Sequence, residues 1–118
     1  MRDSELKRLD FENTLFILFI FLCLINIDAN NKTKEYVKTN DVNFKNEADN
    51  MFILTITASI FIYLYYFNRN YNAYKNASKR NKKLLEVKVY GSLLLVIGAV
   101  LLLYFQVNQT SFIDSPAL

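Results

Sequence analysis

Three stretches free of charge decide what this chain can fold into: LFILFIFLCLINI at 15–27, MFILTITASIFIYLYYF at 51–67 and VYGSLLLVIGAVLLLYFQV at 89–107. A helix of a soluble domain carries its apolar residues on one stripe and polar residues opposite. These blocks are apolar all round, which is the pattern of burial in lipid. The segments between them hold few core-forming residues. The reading is an all-α membrane protein with three transmembrane helices, the second and third forming an antiparallel hairpin.

The second and third blocks have the length a spanning helix needs, about 17 to 20 residues. The first is shorter, since Glu12 and Asp28 bracket residues 13–27. At 1.5 Å per residue that stretch rises about 23 Å, against a hydrocarbon core of about 30 Å. It spans only where the bilayer thins or where its polar ends sit in the interface. A signal-like segment cleaved after Ala29 is the rival reading, with Asp28 beside the cut and an acidic tail before it weighing against it. A lipoprotein signal fits less well, because Phe21 and Leu22 precede Cys23 where small residues belong.

The basic residues set the orientation. Three lie in the N-terminal tail (Arg2, Lys7, Arg8) and seven between the second and third blocks (Arg69, Lys75, Lys79, Arg80, Lys82, Lys83, Lys88). Four lie between the first and second (Lys32, Lys34, Lys38, Lys45) and none follows the third. The positive-inside rule then assigns residues 1–12 and 68–88 to the cytoplasm, and 28–50 and 108–118 to the outside. The same cations attract anionic headgroups, at about 1 kcal/mol each close to the surface. Tyr63, Tyr65 and Tyr66 at the end of the second block, with Tyr90 and Tyr104 in the third, suit the headgroup level.

The stretch NRNYNAYKNASKRNKK at 68–83 also interleaves aromatics with cations, a feature of nucleic-acid grooves. So short a connection has little surface for a groove and carries no RNA-binding signature, so topology and lipid explain it better. No Gly or Pro interrupts 51–90, and Phe67, Tyr71 and Tyr74 follow helical spacing. The second helix is therefore expected to continue to about Ala77, turn near Lys79 to Lys83 and return through Leu84. Glu86 is expected to pair with Lys82 or Lys83, one turn back.

Small residues supply the packing faces that helices need in lipid. Gly91 and Gly98 stand beside Ser92 and Ala99 in the third block, and Thr55, Ala58 and Ser59 form a patch in the second. The two patches are expected to meet at mid-membrane, so that Gly98→Leu loosens the hairpin. Phe16, Phe19 and Phe21 of the first block are expected to face lipid or a partner. Asp49 and Asn50 are the expected caps of the second helix. Residues 28–50 read as a polar outer loop, with a small β-hairpin around Thr39-Asn40-Asp41. Three matches to the glycosylation pattern, at Asn31, Asn76 and Asn108, are what an Asn-rich chain throws up by chance.

Composition narrows the chemistry. There is one cysteine and no histidine, so a structural zinc site or a Cys-His catalytic pair cannot form within the chain. Two glycines cannot make a phosphate-binding or dinucleotide loop. No charged side chain lies inside a block, against the expectation for pumps and ion-coupled transporters. No enzyme activity and no cofactor are expected. Three functions of different classes fit: an accessory, regulatory or immunity-type protein bound to a larger membrane partner; a holin-like self-assembling permeabiliser; and a passive oligomeric channel lined by Thr55, Ser59 and Ser92. The expected partners are a bilayer with anionic headgroups and either a membrane protein or further copies of the chain, not nucleic acid. Heavy use of Asn, Lys, Ile and Phe resembles AT-rich bacterial coding, and on that reading the membrane is the plasma membrane.

Overall fold

The computed structural model describes residues 2–116. The apolar blocks sit within three helices much longer than themselves: α1 (Arg2–Thr39), α2 (Val42–Lys75) and α3 (Lys79–Asn108). Each is long and apolar enough to cross a membrane, and no strand occurs among the described residues. At 1.5 Å per residue α1 rises about 57 Å, nearly twice the hydrocarbon thickness. The molecule is correspondingly long and thin, 59 × 27 × 15 Å.

α2 lies between the other two helices and packs against both, while among the described residues no Cα of α1 comes within 8 Å of one in α3. This central place is written in the spacing of covered residues. On α1 the seam runs Arg8, Glu12, Leu15, Phe19, Leu22, Asn26, Ala29, Thr33 and Tyr36, alternating steps of four and three, and all are buried or half-buried. On α2 the matching set is Lys45, Ala48, Phe52, Thr55, Ser59, Ile62, Tyr66 and Arg69. On α3 it is Leu85, Val89, Ser92, Val96, Ala99, Leu103 and Gln106. A repeat averaging 3.5 residues keeps one stripe facing a neighbour along a shallow left-handed crossing. α2 needs a second stripe for its second neighbour, and Ile56 and Asn70 are buried there.

Cross-helix bonds fix the register. Glu12 meets Arg69, Asn26 accepts from Thr55 (2.7 Å) and Lys32 pairs with Glu47 (3.0 Å), so α2 numbers fall as α1 numbers rise. Between α2 and α3, Gln106 donates to Asp49 (3.4 Å) and Asn70 donates to Ser92.

Residues 28–50 are not a loop, and they contain no β-hairpin. α1 continues to Thr39 and α2 begins at Val42. Asn40 is the single non-glycine residue with positive φ (58°) among the described residues, and its N–H closes on the Tyr36 carbonyl at 2.7 Å. Asparagine tolerates this left-handed conformation better than most residues, and it ends the helix. Asp41 then caps α2 by accepting from the Asn43 N–H at 3.0 Å. Asp49 and Asn50 are thus not caps. Asp49 is internal to α2 and binds Lys45 at 2.8 Å. Ala29, Ala48 and Phe52 make a small dry cluster here, so the alternative cleavage point after Ala29 falls on a fully buried helical residue. Glu47 holds the Lys32 amine above its usual pKa through a hydrogen bond and its charge.

The second connection is also short. α2 ends at Lys75, two residues before the expected Ala77, and α3 starts at Lys79 where a turn was expected. Only Asn76, Ala77 and Ser78 join the two helices.

Candidate functional site

Near the N-terminus of α1 a carboxylate is buried among helices. Glu12 stands on the α1 seam and is 5% exposed. Its Oε1 accepts from Arg69 Nη1 at 3.0 Å. Its Oε2 accepts from Tyr65 Oη at 3.0 Å and from Arg8 Nη1 at 3.3 Å. Burial raises the Glu12 pKa, but the bonds from Arg69 and Tyr65 and the charges of Arg69 and Arg8 outweigh it, leaving a net value below the usual 4.5.

The chain of contacts continues to α3. Arg69 Nε and Nη2 both donate to Asn70 Oδ1, at 3.2 and 3.0 Å. Asn70 Nδ2 donates to Ser92 Oγ, and Ser92 donates to the Lys88 carbonyl at 2.8 Å. One polar run therefore ties all three helices together. The Arg69 guanidinium also lies 4.8 Å from the Tyr66 ring centre, a cation–π distance.

Two cavities adjoin this run. The apolar one, ≈ 240 Å³, lies between α1 and α3 over α2. Leu15, Phe16 and Phe19 form one wall, Ile62, Tyr63 and Tyr66 the floor, and Ser92 and Leu95 the other wall. The buried Tyr66 hydroxyl has no hydrogen-bond partner among the described residues. The polar cavity, ≈ 370 Å³, is bounded by Glu5 and Arg8, by Arg69, Asn70 and Ala73, and by Lys88.

The expected packing residues divide. Thr55, Ser59, Ser92 and Ala99 are buried and Ala58 is half-buried. The Thr55 and Ser59 hydroxyls also bond to backbone carbonyls of their own helix, at 3.1 and 2.9 Å. Gly91 and Gly98 do not line the interface: a Cβ at either would meet nothing within 4 Å. The seam runs through Ser92 and Ala99, and each glycine, one residue earlier, is turned about 100° away. Of the first helix's phenylalanines, Phe19 is half-buried against Tyr63 (6.5 Å), while Phe16 and Phe21 are exposed as expected, Phe16 with one ring face stacked on Tyr66 (6.3 Å).

The basic set divides as well. Arg69 is committed to Glu12 and is not a free surface cation. Lys75 and Lys82 lie over the Tyr71 and Tyr74 rings at 5.1 and 5.4 Å. Lys79, Arg80, Lys83 and Lys88 are exposed. Among the described residues Glu86 forms no ion pair with Lys82 or Lys83. Sequence reasoning took Glu12 for a boundary and passed over Asn70 and Gln106. Their signal was position on the four-three repeat.

Comparisons with protein-family models, with curated proteins and with solved structures each returned no match.

Proposed function

We propose that the chain is a small three-span membrane protein that acts by binding a larger membrane partner, as an accessory, regulatory or immunity-type subunit without catalysis of its own. The observation that carries this reading is the position of α1, whose backbone packs closely against α2 alone. Its uncharged stretch, residues 13–27, is too short to cross the hydrocarbon core unaided, and short spans are relieved by association. The face opposite the seam, with Ile17, Phe21 and Leu24, is exposed. The outer turn adds exposed Val37 and Val42.

In this reading α2 and α3 form an antiparallel hairpin whose basic turn lies in the cytoplasm of a bacterial cell, with the chain in the plasma membrane. The bonds from Asp49 to Gln106 and from Asn70 to Ser92 support that arrangement. The charge distribution supports its orientation. The channel alternative draws less support, because Thr55 and Ser59 are buried inside a single copy and bonded there.

The test is purification of the C-terminally tagged chain from its host in mild detergent, with mass spectrometry of what is retained. A stoichiometric membrane protein, lost on Ile17→Ala/Phe21→Ala/Leu24→Ala, is the expected result. A homo-oligomer that releases dye from liposomes would replace this reading with the permeabiliser.

A further inference from the structure

We infer that the gap between α1 and α3 is a binding groove for one anionic phospholipid, its phosphate at Arg8 and Lys88 and an acyl chain along Phe19 and Leu95. The inference rests on the three-span reading above and deepens it by naming a ligand.

The polar and apolar cavities belong to one stripe. On α2 their floor runs Ile62, Tyr66, Asn70 and Ala73, a spacing of three and four that keeps residues on one helix face. The cavities meet where Arg69 stacks on Tyr66 and where Asn70 bonds Ser92, with one member of each pair lining each cavity. From Arg8 to Phe19 the α1 wall rises about 16 Å, close to one leaflet's half of the hydrocarbon core. The groove is therefore polar at the interface and apolar below it, matching a lipid in direction and length.

Charge decides which lipid. Arg69 and Glu12 neutralise each other. Arg8 and Lys88 then face Glu5 across the polar cavity, which leaves one net positive charge at headgroup level. One net cation is worth roughly a fivefold preference for an anionic over a zwitterionic headgroup. Tyr66 lines the apolar part of the groove, and its buried hydroxyl has no partner among the described residues, so a small opening of the groove would let it donate to an ester oxygen of such a lipid.

The chain contains no tryptophan, so a single introduced one is an unambiguous reporter. Leu95→Trp, on the groove wall, would be reconstituted in vesicles carrying dibromo-phosphatidylglycerol or dibromo-phosphatidylcholine. Leu24→Trp, on the far face of α1, is the control. Leu95→Trp should be quenched by the anionic lipid at roughly one-fifth the mole fraction needed for the zwitterionic one, and Leu24→Trp equally by both. Adding Lys88→Gln should abolish the preference, and adding Glu5→Gln should raise it roughly fivefold further. Opposite signs at one cavity cannot come from unfolding. The preference should survive excess inorganic phosphate; its loss there would mean a free-phosphate site and overturn the lipid assignment. Equal quenching of Leu95→Trp by both lipids would also overturn it. So would an unquenched Leu95→Trp beside a quenched Leu24→Trp, which means that protein fills the groove. If neither tryptophan is quenched by either lipid, the three-span reading itself fails.

Discussion

Arg69 on α2 holds Glu12 on α1 at 3.0 Å with one nitrogen and Asn70 with the other two. The pair lies just outside the uncharged spans, at their proposed cytoplasmic ends, and both side chains are largely buried between the helices. Glu12 looked in the sequence like the residue that cuts the first span short. In the fold it is a helix contact, and its charge is answered by a cation from the neighbouring helix.

Breaking that pair from one side should be costly, because a buried charge is left without its partner. Arg69→Gln should lower stability in detergent by about 3 kcal/mol, toward the low end for buried pairs since Arg69 keeps some exposure. Glu12→Gln/Arg69→Gln should lose less than the two single changes together, which a double-mutant cycle of unfolding free energies would read. Arg69→Lys should restore only part of the loss, since one ammonium cannot reproduce the fork that holds Glu12 and Asn70 together. Strict additivity of the single changes would show that the two side chains do not interact.

The same pair gives stability a pH dependence with a definite sign. Glu12 has a folded-state value below its usual 4.5. Its contribution is present in full above that usual value and is lost as the pH falls through the lower, folded-state one. The chain has eleven acidic residues, so the useful quantity is the stability difference between the natural chain and Glu12→Gln. That difference should be constant above pH 4.5 and shrink below it. A difference that grew on acidification would reverse the assignment.

The third helix offers a test of its seam. Gly98→Leu was expected from the sequence to loosen the helix pair, but Gly98 points into open space. It should not destabilise, and by removing glycine's helix penalty it should stabilise by up to about 1 kcal/mol. Ala99→Leu, one residue on, forces a larger side chain into the contact and should cost about 1–3 kcal/mol. Thermal unfolding of both variants in one detergent separates them, and equal effects would refute the placement of the seam.

Gly98 shows why the sequence revealed the helices better than their contacts. Apolar runs announce spans, but inside a run every residue is a candidate for every face. Small size drew attention to the glycines, whereas the four-three spacing of polar residues pointed to the seam: Glu12 and Asn26 on α1, Ser92 and Gln106 on α3. The outer connection was misread for the opposite reason. Its side chains are polar, so it looked like loop, yet it contains no Gly or Pro, and Ala29, Ala48 and Phe52 suffice to hold two helix ends together. The turn itself, at Thr39-Asn40-Asp41, was legible from residue type. What its flanks would be depended on contacts between residues far apart in sequence.

That turn carries the last prediction. Asn40 has φ of 58°, a conformation open to glycine and disfavoured for residues branched at Cβ. Asn40→Gly should keep the turn, and Asn40→Val should cost about 1–2 kcal/mol, the price of a left-handed backbone with a bulky Cβ. The loss should be local. Amide exchange should quicken from Tyr36 to Phe44, while the Lys32–Glu47 bridge and the buried spans stay protected. Exchange that quickened equally along all three helices would mean instead that the two-residue turn sets the register of the whole α1–α2 seam, because every cross-helix partner from Glu12 to Lys32 is placed by it.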